Sequence, residues 1–534
     1  MGKRRIMLDT RKVSTVDDSI THRFWPATKH PEPVLLGDRP WERFGPLLFG
    51  TVMFDQARYR MWYNPYPVVP PPGNSYYVGY AESFDGLHWE KPDLVIEPYG
   101  DSQRTNLVNL IRHNPSVVLD VDDPDPEQRY KATGYVGTEQ IMKERNAAYP
   151  GNGYYLAHSP DGLHWTEYPA IGPIGTVHDV GNFIGDEPRG RYFGTVKQQV
   201  RYDLVDRRSV AVTASEDFQR WTKPRTVLVA DALDDRIARE RGFHHAEFYG
   251  MALDPYDDFI VGLLWIFWVP LPFLPGRRTG WWGTIDCHLA FSYDDGNHWH
   301  RTPDRQPFIP IGDKGEFDGG HLYTCNRPVV VNDEVWLYYT GAKRDHSYFD
   351  PIKARHNLHY RTDVDWQDAR MGNEYSISIA KIKRDRYASL STGNQGSFVV
   401  DQGVIDGSRL LVNARAPLGS VKAEALDVDG NPIEGFGVVD CLGFSGDDVS
   451  GEIRWRDRSL AELHPDCEIN LRFVLDDADF FAYELAGAGG VLRPQFEVAK
   501  HSNEERVRRV PIAWFSILGF LLAGPGRGSG PESG

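Results

Sequence analysis

A short motif, Ser-x-Asp-Gly-x-x-Trp, recurs along the chain and constrains the fold more than any other feature of the sequence. It stands at 83–89 and 159–165, with one inserted residue at 292–299, and in a weaker form at 215–221. In each full copy we expect the Asp side chain to cap backbone N–H groups, the Gly to adopt a positive φ and the Trp to pack back over a sheet. The motif therefore predicts a structural hairpin turn.

A second pattern, an apolar strand followed by an acidic turn and an aromatic strand, occurs five times rather than four. The copies lie at 51–63, 116–132, 181–194, 250–262 and 328–339. Units of about 55 to 80 residues that each hold about four short strands are typical of radially repeated sheets. The sequence therefore predicts an all-β chain built around a five-bladed β-propeller.

The stretch from about 33 to 390 resembles the five-bladed glycoside hydrolases, which include invertases, levansucrases, arabinanases and β-xylosidases. The resemblance lies in the opening segment 33–42 and in the first aromatic strand, 59–63. Where invertase-like enzymes have Trp-Met-Asn-Asp-Pro and Arg-Asp-Pro, this chain has Trp-Glu-Arg at 41–43 and Arg-His-Asn-Pro at 112–115. The resemblance implies a divergent member that acts on carbohydrate and carries a C-terminal β-sandwich.

After residue 395 the pattern changes to alternating strands with the spacing of a β-sandwich, and 427–431 is a strong hairpin signal. We predict an N-terminal segment at 1–32, the catalytic propeller at 33–392, a supporting sandwich at 393–500 and a tail at 501–534. The apolar run 511–523 is shorter than the roughly 20 residues that span a bilayer. The Gly-rich end, 524–534, is expected to be disordered.

Charge and cysteine content narrow the functional classes. A net charge of −16 without a segregated basic face argues against a nucleic-acid partner. No apolar stretch follows the basic residues near the N-terminus, so we expect no secretory signal, no membrane partner and a cytoplasmic protein. The four cysteines, at 287, 325, 441 and 467, have no metal or redox spacing and are expected to be free thiols. The oligomeric state stays open.

In a propeller, the residues just before the first strand of each blade converge on one mouth of the central channel, which is the default pocket. These positions are rich in carboxylates and histidines. They are Trp41 and Glu42, His113 and Asn114, His178 and Asp179, His244, His245 and Glu247, and Glu316, Asp318 and His321. The sequence therefore predicts a carbohydrate site at this mouth.

Cleavage of a glycosidic bond needs one carboxyl group that is protonated and another that is ionised. Crowding of carboxylates beside aromatic rings separates their pKa values. We assign Asp179 as base or nucleophile and Glu247 as general acid. Asp318 and Glu42 are expected to tune these pKa values or to hold sugar hydroxyls.

The histidines at the mouth admit a second interpretation, in which they bind a metal or shape the sugar site. The spacing of His244, His245 and Glu247 is not a helical His-x-x-x-His pair, so zinc has weak support. No cofactor is required by the predicted chemistry. A structural calcium ion in the central channel is the remaining metal hypothesis, with one His and water molecules among its ligands.

Sugar rings also need flat apolar platforms. The aromatic, Pro-rich segment 263–282 offers Trp268, Trp281 and Trp282, and its Arg277 is a candidate for contact with an acidic or hydroxyl-rich sugar. The alternative is a buried strand followed by a loop.

Two classes of function therefore remain. The first is a glycoside hydrolase that acts on an oligosaccharide or a glycan end. The second is a noncatalytic, lectin-like or scaffold propeller. A glycoside phosphorylase is a third candidate, and it requires Arg or Lys side chains clustered beside the acids to hold phosphate.

Overall fold

A computed structural model describes residues 4–66, 77–137, 152–168, 174, 178–202, 205–270, 282–346, 374–405, 407–463 and 467–487. Apart from one α-helix and a few 3-10 turns, the regular structure of these residues is β-strand, which confirms the predicted all-β class. The chain begins with four short strands, β1 (Arg4–Ile6), β2 (Val13–Val16), β3 (Thr21–Phe24) and β4 (Thr28–Lys29).

Three antiparallel four-stranded sheets follow one another along the chain. The first sheet holds β5 (Gly45–Asp55), β6 (Arg58–Tyr66), β7 (Tyr77–Ser83) and β8 (Leu107–Ile111). The second sheet holds β9 (His113–Leu119), β10 (Tyr130–Val136), β11 (Gly153–Ser159) and β12 (Thr166–Glu167). The third sheet holds β13 (Gly181–Asp186), β14 (Arg191–Tyr202), β15 (Val205–Ser215) and β16 (Arg225–Leu228).

After helix α1 (Ala232–Glu240) comes a nine-stranded sheet made of two runs of strands. A single parallel pair, Ile285 with His321, joins the runs, and β4 completes the outer edge by pairing with the last strand. The first run is β17 (His245–Pro255), β18 (Ile260–Val269), β19 (Thr284–Ser292) and β20 (His300–Arg301). The second run is β21 (His321–Thr324), β22 (Val329–Val331), β23 (Glu334–Ala342) and β24 (Tyr375–Lys383).

The C-terminal strands form one continuous seven-stranded sheet with β1, β2 and β3. The pairing register of its long strands shifts at several points along their length. Such shifts mark β-bulges, which bend a strand. The predicted boundary at 392/393 falls inside the first of them, and the predicted segment 1–32 supplies strands to two different sheets. The four strands are β25 (Ala388–Val404), β26 (Arg409–Leu426), β27 (Phe444–Ile453) and β28 (Glu468–Ala486).

Each of the three four-stranded sheets and each of the two runs of the nine-stranded sheet is called a group. Hydrogen bonds join the first strands of the first four groups in succession, and Asn326, which follows β21, joins the fifth group to the fourth and to the first. Three of the five bonds pair an Asn, Ser or Thr side chain with a backbone group, and the bond from Asn326 to Gly50 links the last group to the first. The bonds are Val117 N to Thr51 Oγ1 (2.8 Å), Phe183 N to Ser116 Oγ (3.1 Å), Asn182 Nδ2 to Met251 O (3.1 Å), Leu253 N to Asn326 O (3.1 Å) and Asn326 N to Gly50 O (3.0 Å).

The recurring motif forms the turns that were predicted, and each full copy contacts a neighbouring group. In the first copy, Asp85 Oδ1 accepts hydrogen bonds from two backbone N–H groups, and Gly86 has a φ of 75°. Tyr338 Oη on β23 donates to Gly86 O at 2.8 Å, so the first group packs on the last. In the second copy, Trp62 Nε1 on β6 donates to Gly162 O at 2.8 Å. The turns therefore connect neighbouring groups.

The four cysteines are free thiols, as predicted. Cys287, Cys325 and Cys441 are buried, and Cys467 is half-buried.

Within the described ranges, no helix combines the length and the apolar character that crossing a bilayer requires.

The docked turns lead to a stability prediction. In the Gly86→Ala variant, the new Cβ would lie 2.6 Å from Tyr338 Oη, in addition to the strain of a positive φ. The control is Gly190→Ala, because Gly190 has a φ of 60° but nothing within 4 Å of the added Cβ. In urea unfolding, we expect the free energy of unfolding to fall by about 1 kcal/mol in the control and by about 2 kcal/mol or more in Gly86→Ala. Equal losses of unfolding free energy in the two variants would mean that the turn at 83–89 does not pack on Tyr338.

Candidate active site

The predicted residue Asp179 lies between two nitrogens supplied by neighbouring sheets. Its Oδ1 is 2.6 Å from Lys197 Nζ on β14, and its Oδ2 is 4.0 Å from His113 Nε2 at the start of β9. The Asp179 side chain is 46% exposed, whereas that of Lys197 is only 5% exposed. Asp179 is therefore a fixed carboxylate that solvent or a ligand can reach.

These neighbours also determine the charge of the carboxylate. Partial burial opposes ionisation, but the Lys197 ammonium, with a smaller contribution from His113, holds the pKa of Asp179 well below its ordinary value. Burial lowers the pKa of His113 to about 4. At neutral pH the site therefore presents an ionised carboxylate between a lysine cation and a neutral imidazole.

A second ion pair lies close by. Glu247 Oε2 accepts hydrogen bonds from Arg208 Nη1 at 2.5 Å and from the Arg208 backbone N–H at 3.2 Å, and Glu247 Oε1 is 2.9 Å from His245 Nε2. Although burial opposes ionisation, Arg208 and His245 lower the pKa of Glu247. A general acid must hold a proton, whereas the buried Arg208 guanidinium stabilises the charged form of Glu247, so this environment does not favour the predicted general-acid role.

One aromatic ring connects the two ion pairs. Lys197 Nζ lies 4.1 Å from the centre of the Tyr249 ring, and the guanidinium carbon of Arg208 lies 5.7 Å from it. Tyr249 also contacts Tyr323, with ring centres 5.4 Å apart. We call the set of His113, Asp179, Lys197, Arg208, Glu247 and Tyr249 the Asp179 cluster.

Lys197, Arg208 and Tyr249 were not among the sequence candidates. The mouth residues were predicted at positions just before each first strand, whereas Lys197 and Arg208 face back into the site from β14 and β15. A signal did exist for one of them. Lys197 follows a run of buried residues, 193–196, and a lysine within a buried strand needs a charged partner.

A further carboxyl group, Glu374, lies just before β24. It is buried, its Oε1 has no hydrogen-bond partner, and its Oε2 is 3.7 Å from Arg344 Nη1. Burial raises the pKa of Glu374 to about 7. The next residue, Tyr375, packs on His321, with ring centres 5.8 Å apart. Glu374 therefore has the protonation properties that Glu247 lacks.

The other two predicted carboxylates are buried in ion pairs. Glu42 Oε2 lies 2.7 Å from Lys91 Nζ, and Tyr63 Oη donates to Glu42 Oε1. Asp318 Oδ2 accepts hydrogen bonds from Lys29 Nζ and Tyr339 Oη, both at 2.9 Å. Their expected contact with sugar hydroxyls does not fit this burial. Both residues are held in ion pairs inside the fold, and their predicted role in tuning nearby pKa values stays a prediction.

The predicted histidines have different environments. His321 Nδ1 donates to Arg344 O at 2.6 Å, and burial lowers the pKa of His321 to about 4, so its other ring nitrogen is unprotonated at neutral pH. His178 is exposed, and its backbone N–H donates to Lys197 O at 3.3 Å. His244 is also exposed, and its Nδ1 is 3.0 Å from Nδ1 of the buried His245.

Three residues that were predicted to contact sugar are buried in the fold. Trp268 is fully buried, and its Nε1 donates to Asp286 Oδ1 at 2.7 Å, so it packs in the core and offers no sugar platform. Trp41 is buried and bonded to Asn106. Asn114 is buried, and its Oδ1 accepts a hydrogen bond from a backbone N–H on the next sheet.

The remaining predicted contacts lie at the edge of the described structure. Trp282 is half-buried. Arg277 and Trp281 lie outside the described residues.

The metal hypotheses find little support in the side chains. Among the residues that the structure describes, no three His, Cys, Asp or Glu side chains are grouped to hold a metal ion. The Asp179 and Glu247 carboxylates are already paired with Lys197 and Arg208, so they do not fit a calcium ion.

The buried Glu247 pair leads to a stability prediction. Glu247→Gln leaves Arg208 without its anion, and we expect a loss of about 3 kcal/mol at pH 7 in urea unfolding. Because the pKa of Glu247 is lowered in the folded state, its contribution is present above the unfolded pKa and is lost as the pH falls through the folded value.

The control for this prediction is Glu462→Gln. Glu462 pairs with Arg458 at 2.8 Å, but both side chains are more than 40% exposed. We expect the control to lose much less stability than Glu247→Gln, because solvent screens an exposed ion pair. A similar small loss for Glu247→Gln would show that the Arg208 pair does not stabilise the fold.

Comparisons with known proteins identify similar folds. No protein-family model and no curated protein sequence matches the chain. A glycosyl hydrolase from Bacteroides ovatus is 16% identical, with a TM-score of 0.41, over 72% of this chain and 99% of its own. The β-1,2-mannobiose phosphorylase from Listeria innocua, in complex with β-1,2-mannobiose, is 13% identical, with a TM-score of 0.40, over 67% of this chain and 96% of its own.

A third similar structure is an N-acetylgalactosamine deacetylase from F. plautii in complex with blood group B trisaccharide. It is 15% identical, with a TM-score of 0.39, over 69% of this chain and 97% of its own. At TM-scores below 0.5 the likeness does not assign a function to this chain.

Proposed function

We propose that this chain is an enzyme that cleaves a glycosidic bond in an oligosaccharide or at a glycan end. In this proposal the three four-stranded sheets and the two runs of the nine-stranded sheet are the five blades of a propeller. The hydrogen bonds that return from Asn326 to Gly50, and the contact of Tyr338 with the first turn, support a closed ring. The bent C-terminal sheet would form a β-sandwich.

The observation that carries the proposal is the state of Asp179. It is an accessible carboxylate that the Lys197 ammonium keeps ionised, and that ammonium lies against the Tyr249 ring. Such a group is suited to activate water or to attack a sugar carbon. We therefore keep Asp179 as base or nucleophile.

We assign the proton donor to Glu374 in place of Glu247. With a pKa raised to about 7, Glu374 can hold a proton near neutral pH, whereas the pKa of Asp179 is held well below its ordinary value. Two carboxyl groups whose environments separate their pKa values in this way are typical of acid and base pairs in enzymes.

A second candidate function is phosphorolysis of the same bond. Lys197 and Arg208 lie on neighbouring strands in the Asp179 cluster, and each contacts the Tyr249 ring. Clustered cations beside a carboxylate are the feature that a phosphate co-substrate requires. A phosphorylase would release a sugar 1-phosphate, whereas a hydrolase releases a free sugar.

The test is a screen of aryl-glycosides and oligosaccharides with and without inorganic phosphate. We expect the wild type to cleave at least one substrate, and Asp179→Asn and Glu374→Gln to reduce kcat by about 100-fold or more. The control, Asp304→Asn, removes an exposed carboxylate outside the cluster and is expected to leave kcat unchanged. Products that appear only in the presence of phosphate would favour phosphorolysis over hydrolysis.

Two outcomes would contradict the proposal. Full activity in the Asp179→Asn variant would show that the reaction takes place elsewhere. Saturable sugar binding by a wild type that cleaves none of the substrates would favour the lectin-like alternative.

A further inference from the structure

Lys197 is the nearest charged contact of the proposed reactive carboxylate. It lies in β14, and its ammonium is 2.6 Å from Asp179 Oδ1 and 4.1 Å from the centre of the Tyr249 ring. Its side chain is only 5% exposed, so the protein has placed a cation where water can do little to solvate it. The ammonium is stabilised by the anion on one side and by the aromatic face on the other.

The two oxygens of Asp179 face different partners. Lys197 contacts Oδ1, whereas Oδ2 faces the neutral His113 imidazole at 4.0 Å. A strong ion pair at one oxygen fixes the plane of the carboxylate, and the weaker contact at the other oxygen leaves that oxygen for a reactant. The geometry therefore distinguishes a held oxygen from a reactive one.

We propose that Lys197 is a positioning residue that holds the Asp179 carboxylate in one orientation and in its charged form, so that Oδ2 faces the substrate. The proposal rests on the proposed function of Asp179 as base or nucleophile. It assigns Lys197 no direct contact with the substrate.

Other groups also act on Asp179, and the experiment must separate them from Lys197. They come from several strands packed around the site. The titratable and charged groups are His178 on the same segment, His113 on β9, Tyr135 and Tyr154 on β10 and β11, Arg208 on β15, Tyr249 on β17 and Tyr323 on β21. Of these, Arg208 is the other permanent cation, and its nearest carboxylate is Glu247.

The experiment compares Lys197→Met and Lys197→Arg with the wild type. Without a cation, Asp179 binds its proton more tightly, so we expect the acidic limb of the pH–kcat profile of Lys197→Met to move up by about one pH unit or more. At a pH below the wild-type optimum, kcat should fall about 10-fold or more, with KM changed less than about 3-fold. Lys197→Arg should restore the acidic limb, because it restores the charge.

The control is Lys131→Met. Lys131 is also a buried lysine, paired with Asp120 at 2.8 Å and Asp123 at 2.6 Å, but outside the Asp179 cluster. Thermal melts show which variants fold. We expect Lys131→Met to lower the melting temperature without moving the acidic limb. An unmoved acidic limb in folded Lys197→Met would overturn the proposal.

A readout without substrate separates this proposal from the proposed function. Carbon-13 NMR of aspartate-labelled protein, with the Asp179 signal identified by its loss in Asp179→Asn, follows the carboxyl titration directly. We expect the Asp179 carboxyl group to titrate at a higher pH in Lys197→Met than in the wild type. In Lys197→Arg we expect the titration to return to the wild-type pH. An unchanged titration overturns the role of Lys197 even if the wild type is active, whereas an inactive wild type with a shifted titration overturns only the enzyme proposal.

Discussion

The first strand of each group has backbone N–H and C=O groups on its inner side that no strand ladder satisfies, and buried backbone groups must be hydrogen-bonded. Side chains of Asn, Ser and Thr supply many of the missing partners, and Asn326 connects the last group to the first. These bonds hold the first strands of successive groups together. The position of every side chain near the starts of these strands, Asp179 included, depends on this arrangement.

Burial of charge explains why the predicted acids have different roles. Glu42, Glu247 and Asp318 are almost fully buried, and each is paired with a Lys or Arg, because an unpaired buried carboxylate is strongly destabilising. Asp179 has the same kind of pair, but its side chain is 46% exposed. Asp179 can therefore keep its charge and still reach a ligand, while the burial of Glu374 beside a more distant arginine raises its pKa to about 7.

Local patterns in the sequence predicted the turns and the strand groups, because the Asp cap, the positive φ of Gly86 and the alternation of apolar residues depend on near neighbours. Distant pairing was not predictable in this way: β1 pairs with β28, and Arg4 lies opposite Glu484. The same reason explains the missed site residues. Lys197 and Asp179 are 18 positions apart in the sequence, and a hairpin brings them to 2.6 Å. Trp268 was misassigned because an aromatic residue in an apolar strand has the same local pattern whether it faces a ligand or the core.

The most direct test of the central claim is a crystal structure of the Asp179→Asn variant with an oligosaccharide that binds in the screen. The account predicts a sugar ring within hydrogen-bond distance of the residue 179 side chain, on the side away from Lys197. A sugar bound only on the C-terminal sheet, or in contact with Glu247 and not with residue 179, would contradict it.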